Sequence, residues 1–86
     1  MESREKIERD VLKPDLEFDA RGMRCPMPVI KARKYLDQLS SGQILLILAD
    51  DPGAKKDFPA FCSQTGHELI ASQEGSGVFK FYIRKR

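Results

Sequence analysis

The sequence has 86 residues, of which 41% are hydrophobic and 33% charged, with a net charge of +2, and these values fit one small globular domain. Its longest apolar run, from Ile44 to Ala49, is far shorter than the ~20 residues that a transmembrane helix needs. The charged start of the chain also lacks the apolar stretch of a signal peptide. Composition therefore excludes a disordered chain and a membrane-spanning protein, and it predicts a cytoplasmic protein that does not bind membranes.

The first 14 residues are highly charged and show almost no apolar periodicity. We predict that residues 1–14 form a flexible tail and that residues 15–86 form the single domain. Leu16, Phe18 and Ala20 then alternate with acidic residues, a pattern typical of a strand with one buried face.

An amphipathic helix is predicted next. Four apolar residues recur at spacings of three and four: Val29, Ala32, Leu36 and Leu39. Ser40-Ser41-Gly42 ends this helix. The continuous apolar run over residues 43–49 is typical of a central strand.

A second, short helix follows turn chemistry at residues 50–53. Its inward positions have helical spacing: Phe58, Phe61, Cys62 and Thr65. Because proline is tolerated only near the first turn of a helix, Pro59 predicts that the regular part starts at about Asp57. Gly66 is predicted to end it, and Asp51 or Asp57 is a candidate cap.

Two strands over residues 67–73 and 78–84 are predicted to form a hairpin through the turn at residues 74–77. Phe79, Phe81 and Ile83 are expected to face the core. The element order βαβαββ predicts a two-layer α/β (α+β) sandwich, in which two helices cover one face of a four-stranded mixed sheet. The other face of the strand at 44–48 is then left open, which can signal a docking site, and we expect it to be partly shielded by the tail or by side chains of neighbouring strands.

Positive charge is concentrated in the middle of the first half of the chain. Five bases and no acid occur between positions 21 and 34: Arg21, Arg24, Lys31, Arg33 and Lys34. The chain ends in Arg84-Lys85-Arg86. Such patches fit an anionic partner, either a nucleic acid, an acidic protein surface or a reactive anion, but an ordinary solvated helix face fits them equally well.

Cys25 is the candidate functional residue. A residue before proline is pushed into an extended conformation, so Cys25 suits a helix N-cap and Pro26 the first helical position, although Pro28 also fits that position. A helix N-terminus and nearby bases lower the pKa of a thiol. With Arg21 and Arg24 beside it, and Lys31 farther along, Cys25 is predicted to be a partly ionised nucleophile; the alternative is a small apolar cap without chemistry.

The remaining reactive side chains are interpreted as structural. Cys62 falls on the inward stripe of the second helix, where cysteine behaves as a small hydrophobe, although a resolving thiol for Cys25 is an alternative. His67 is interpreted as a strand-edge residue. The two cysteines and one histidine lack metal-ligand spacing, so no metal and no cofactor is predicted.

The segment at residues 19–28, with its Cys25-Pro26-Met27-Pro28 helix start, resembles the TusA/SirA-like family of small sulfur carriers. The resemblance continues through residues 49–52, 57–59, 61–62, 66–69 and 83–85, and it covers about residues 15–86. Two features differ from the family pattern: the tail is longer than the family core requires, and the variable motif position holds Met27, where a polar residue is also common.

The resemblance implies a βαβαββ sandwich and a function. Cys25 would accept a sulfane sulfur from a cysteine desulfurase, hold it as a persulfide and pass it to a downstream sulfur-relay protein, in bacteria often for tRNA 2-thiouridine formation. Arg21, Arg24 and Lys31 would stabilise the persulfide or contact the partner. We expect a monomer with transient complexes and no direct nucleic-acid binding.

Two other functions remain alternatives on the sequence alone. One is a non-enzymatic RNA- or protein-binding regulatory module that uses the basic first helix. The second is a redox sensor that pairs Cys25 with Cys62. Tyr35 is the one aromatic residue in the basic segment, which weakens the case for RNA stacking.

Overall fold

Residues 13–86 are described by a computed structural model of the protein. The tail predicted over residues 1–14 therefore lies almost wholly outside the described residues. The secondary structure is ordered along the chain as follows: β1 (Leu16–Asp19), α1 (Met27–Asp37), β2 (Ile44–Ala49), α2 (Ala54–Thr65), β3 (Glu68–Gly75) and β4 (Val78–Arg84). The predicted order βαβαββ is confirmed.

The four strands form one mixed sheet in the order β1-β2-β4-β3. β1 runs parallel to β2, whereas β4 is antiparallel to both β2 and β3. Phe18, Ile47 and Phe81 are aligned across two pairings, that of β1 with β2 and that of β2 with β4. Since β1 and β2 are parallel, the loops that leave their C-terminal ends lie side by side, and this is where the first helix begins.

One face of the sheet carries the hydrophobic core. α1 buries Ala32 and Leu36 completely, and α2 buries Phe58 completely. These side chains belong to one cluster with inward residues of β1, β2 and β4, and Leu69 of β3 packs against it, which confirms that both helices cover the same face. Phe58 packs on Phe81 with ring centroids 4.9 Å apart, and burying each such ring stabilises the fold by roughly 1.5–3 kcal/mol.

The opposite face of β2 is largely shielded although no helix covers it. Ile44 and Leu46 are only 8% and 7% exposed, and Leu48 is half-buried. Their partners on β4 are Arg84 and Tyr82 at the first two positions, both long side chains whose stems can cover apolar surface. The predicted partial shielding is confirmed.

The start of α2 differs from the sequence prediction. The helix begins at Ala54, three residues before Asp57, and Pro59 lies inside it. The first turn of the helix has i→i−3 hydrogen bonds. The N–H groups of residues 54 to 56 each donate to the carbonyl three residues earlier, beginning with Ala54 N–H and the Asp51 carbonyl. A complete turn therefore forms ahead of the proline, and only the bond that Pro59 would have donated is lost. Gly66 ends the helix at φ +87°, as predicted.

The hairpin turn is also shorter than predicted. β3 extends through Gly75, and only Ser76 and Gly77 remain between the strands, with φ values of +54° and +78°. A two-residue turn with both values positive matches the right-handed twist of the flanking strands. β3 contains a bulge at Ile70, because the pairing with β4 shifts between Leu69 and Ala71.

Candidate functional site

Cys25 lies in the turn between β1 and α1, one residue before the N-cap of the helix. Pro26 is the N-cap, since its carbonyl accepts the first helical bond, from Ile30 N–H at 3.1 Å. The peptide bond between Cys25 and Pro26 is cis. Met27 and Pro28 occupy the first two helical positions, and Pro28 is buried. The prediction that Cys25 caps the helix is therefore wrong by one residue, because the turn closed by Met27 N–H and the Arg24 carbonyl precedes the helix.

Two aspartates from the loop after β2 form hydrogen bonds with the turn that carries Cys25. The Asp50 carboxylate accepts the N–H of Gly22 at 3.0 Å. Asp51 Oδ2 accepts the N–H of Gly53 at 3.2 Å and makes a longer contact of 3.4 Å with the N–H of Cys25. One short acidic turn thus links the start of α1 to the start of α2.

The thiol of Cys25 is half-buried against the edge of the core and is still open to solvent. It lies close to Gly53, where a side-chain Cβ would be 3.5 Å from Sγ and 2.9 Å from Asp51 Oδ2. Concave surfaces lie on both sides of the Cys25 turn. One is lined by Pro26, Val29 and Asp57 among others, and the second by residues 22–24, 50 and 51.

The electrostatic environment of this thiol is acidic. Burial raises the pKa of Cys25 above its ordinary 9.0, and hydrogen bonding to the Asp57 and Asp51 carboxylates raises it further, to about 12. The prediction that the thiol is partly ionised at neutral pH is therefore wrong for the free protein, since both carboxylates favour the protonated form. Asp57 projects from α2 and Asp51 from the preceding turn, so each comes from a part of the chain distant from Cys25 in sequence.

The predicted bases are placed around the turn without stabilising the thiolate. The guanidinium of Arg21 binds both carboxylate oxygens of Asp19, at 2.9 and 2.8 Å, and this pairing lowers the pKa of Asp19 to about 2. Arg24 is exposed and lines the same concave surface as Asp51. Lys31 is exposed on the outer side of α1. The bases near Cys25 in the sequence thus predicted a positive environment for the thiol, whereas the nearby charges in the structure are carboxylates.

Cys62 and His67 have the structural environments that the sequence predicts. Cys62 is 5% exposed within the core, and burial raises its pKa to about 11. His67 Nδ1 accepts the N–H of Arg86 at 3.1 Å, and its ring lies 5.8 Å from that of Phe61. Both cysteines are free thiols.

Sequence reasoning missed a pair of exposed apolar residues beside Cys25. Met27 and Ile30 are 43% and 46% exposed and lie on the first turn of α1. A helix position that falls outside the apolar stripe yet holds a large hydrophobe is a signal that could have identified them. Asp51 and Asp57 were not predicted to lie near the thiol.

Membrane-spanning helices and clusters of metal ligands are both absent from residues 13–86. This region contains no helix with the length and hydropathy needed to cross a membrane. Nor does it bring three or more histidine, cysteine, aspartate or glutamate side chains together as metal ligands.

Comparisons with known proteins agree with the site. Residues 16–85 match the sequence model of the family described as sulfurtransferase TusA. The chain is 52% identical over 71 residues to the sulfur carrier protein TusA of Allochromatium vinosum, covering 83% of this chain and 93% of that protein. It is 41% identical over 73 residues to the sulfur carrier protein TusA of Pseudomonas putida, with coverages of 85% and 91%.

A solved structure extends the agreement to the fold. The crystal structure of a SirA-like protein from Desulfitobacterium hafniense superposes with a TM-score of 0.72 at 27% identity, covering 80% of this chain and 95% of that one. A sulfur carrier works with proteins that supply and receive the sulfur. From its sequence, its fold and these relatives, the chain belongs to the TusA family of sulfur carriers.

Proposed function

We propose that Cys25 is the residue that carries the sulfur, as a persulfide. The observation that supports this most directly is that, of the two cysteines in the chain, only Cys25 reaches solvent, whereas Cys62 is sealed in the core. The half-buried sulfur has a glycine as its neighbour, so no side chain at position 53 crowds it. Pro26 and Pro28 brace the turn that presents it.

The transfer is a thiol–persulfide exchange, so the chain acts as a sulfurtransferase. Cys25 Sγ attacks the outer sulfur of a donor cysteine persulfide and forms a new S–S bond. The donor's own S–S bond breaks, and its cysteine leaves as a thiol with the proton given up by Cys25. An acceptor thiolate later attacks the outer sulfur on Cys25 in the same way, and no net oxidation or reduction occurs.

Donor and acceptor are proposed to dock on the outer side of α1. Met27 and Ile30 give an apolar contact beside Cys25, and Lys31 lies one helical turn beyond Met27 on the same side. Arg24 adds a second exposed base, whereas Arg21 is occupied by Asp19. A small apolar contact with a charged rim is typical of transient complexes, in which charge steers association.

The donor is proposed to be a cysteine desulfurase and the acceptor a downstream relay protein, with tRNA 2-thiouridine as the end product. Residues 15–86 are the proposed carrier domain, acting as a monomer in the cytoplasm, where reducing conditions keep the free Cys25 thiol from forming a disulfide. Direct nucleic-acid binding forms no part of the proposal.

The test is sulfur loading followed by intact mass. The full chain is incubated with a cysteine desulfurase and cysteine, and its mass is recorded before and after reduction. We expect a reducible gain of one sulfur that Cys25→Ser abolishes and that Cys62→Ala, the matched control, retains. Loss of both thiols to oxidation without any sulfur gain would favour a redox sensor. Salt-sensitive RNA binding that survives Cys25→Ser would favour the regulatory module.

A further inference from the structure

The turn at residues 50–53 does more than connect β2 to α2. Asp50 and Asp51 each accept a backbone N–H from the segment that carries Cys25, across a sequence separation of 28 and 26 residues. Asp51 Oδ2 is shared between the N–H groups of Cys25 and Gly53. The same carboxylate therefore positions the backbone of the sulfur-carrying residue and lies beside its side chain.

A second carboxylate lies near the Cys25 turn and comes from the other helix. Asp57 is in the first turn of α2 and is half-buried, and it lines the concave surface that begins at Pro26. The Cys25 turn thus has Asp51 at the N–H of Cys25 and Asp57 across the surface that Pro26 lines. Asp50 faces the N–H of Gly22 instead, and two exposed bases are adjacent in sequence to this cluster, Arg24 beside Cys25 and Lys56 beside Asp57.

This arrangement has opposite effects on the two protonation states of the sulfur. A carboxylate accepts a hydrogen bond from an S–H group, but it repels a thiolate. Consistent with this, the Asp57 and Asp51 carboxylates act in the same direction as burial on the pKa of Cys25, which is raised to about 12. The thiolate is the reactive form in sulfur exchange, so the free protein holds its sulfur in the unreactive form.

We propose that Asp51 and Asp57 are positioning residues for sulfur transfer, which keep the Cys25 thiol protonated and unreactive until a partner protein neutralises their charge. The proposal rests on Cys25 as the sulfur-carrying residue. The partner that fits is one that presents lysine or arginine side chains next to its own persulfide cysteine. Its positive charge removes the penalty on the thiolate at the moment when the two sulfurs meet.

Alkylation by iodoacetamide tests this without any sulfur transfer. All variants are made in a Cys62→Ala background, so that Cys25 is the only thiol. Asp51→Asn keeps an oxygen that accepts the N–H groups of Cys25 and Gly53 but removes the charge. Asp57→Asn removes charge from the other side, and Asp50→Asn is the matched control, since Asp50 binds Gly22.

The expected gain follows from the kinetics of thiols. At a pH well below the thiol pKa, lowering that pKa by one unit raises the thiolate fraction about tenfold. The intrinsic nucleophilicity of the thiolate falls at the same time, with a Brønsted coefficient of about 0.4–0.5, so the net gain in alkylation rate is about threefold. We expect about this gain for Asp51→Asn and for Asp57→Asn, and a larger one for the double variant. Burial remains, so the pKa of the double variant still exceeds the ordinary value.

Titration of the thiolate absorbance and urea denaturation together separate lost charge from loosening of the turn. Lost charge moves the ionisation of Cys25 to lower pH and leaves the unfolding midpoint unchanged, whereas a loosened turn would expose Cys25 and lower that midpoint as well. The inference is overturned if the double variant is alkylated no faster than its parent, if its ionisation is not displaced, or if Asp50→Asn gives the same gain.

The outcome is distinguishable from failure of the proposed function. Faster alkylation with no sulfur loading in any variant would refute Cys25 as the carrier and leave the control of its reactivity intact. Sulfur loading on Cys25 with an unchanged alkylation rate in the double variant would support Cys25 as the carrier and refute the role of Asp51 and Asp57. With free cysteine persulfide as a protein-free donor, which becomes cysteine as its outer sulfur moves to Cys25, the double variant is expected to load faster than its parent.

Discussion

Truncation to alanine on the inner side of α1 is expected to destabilise the fold, whereas truncation on the outer side is expected to affect sulfur loading. Leu36 is completely buried, so Leu36→Ala removes its contacts with the sheet and leaves a cavity, at a cost of about 2–5 kcal/mol. Ile30 is 46% exposed on the same helix, and Ile30→Ala is expected to change stability by no more than about 0.5 kcal/mol. A domain of this size is stable by roughly 4–11 kcal/mol, so the first change removes a large share of the total.

Urea denaturation followed by circular dichroism measures the difference. With a slope near 1 kcal/mol per molar for a small domain, Leu36→Ala is expected to lower the unfolding midpoint by about 2 M or more. Ile30→Ala should leave the midpoint almost unchanged while it weakens sulfur loading from the desulfurase. Equal destabilisation by the two variants, or loading unaffected by Ile30→Ala, would show that the assignment of an inner and a docking side to α1 is mistaken.

Three further results are expected. Gly77→Ala should destabilise the hairpin by roughly 1–2 kcal/mol in urea denaturation, because Gly77 has φ +78°, and a smaller effect would contradict the turn geometry. Burial and the charge of Lys85 lower the pKa of His67 below its ordinary 6.5. The free energy of unfolding should therefore be highest above about pH 6.5 and fall as the pH drops below that value, because the unfolded chain binds the proton more readily. His67→Gln should flatten that fall in denaturation curves measured from about pH 8 to about pH 5. Arg21→Ala should raise the pKa of Asp19 from about 2 towards 3.8 in an NMR titration, and a value that stays low would implicate a partner other than Arg21.

The fold could be predicted from the sequence because its periodicities are strong and local. The bounds of β4 and the inward direction of Phe79, Phe81 and Ile83 follow from simple alternation. The start of α2 was placed too late because a proline was taken to mark the first turn. The tight bonds after Asp51 form that turn earlier, and such bonds leave no trace in an apolar pattern.

The chemistry of the site was harder to predict than its location. The helix start at Pro26 identified Cys25, and a partly exposed thiol was found there. The sign of the charge around it depends on tertiary structure, because Asp51 and Asp57 reach the thiol from a loop and a helix far along the chain. The parallel pairing of β1 and β2 was available as a clue, since it brings the loop that contains Asp51 next to the Cys25 turn.

The bulge at Ile70 matters for how copies of this protein behave in a crowded solution. β3 is an outer strand of eight residues, long enough to offer its unpaired backbone groups to the same strand of another molecule. The extra residue interrupts the regular repeat that such stacking would need. An irregularity of a single residue thus opposes aggregation along the one long edge of the sheet.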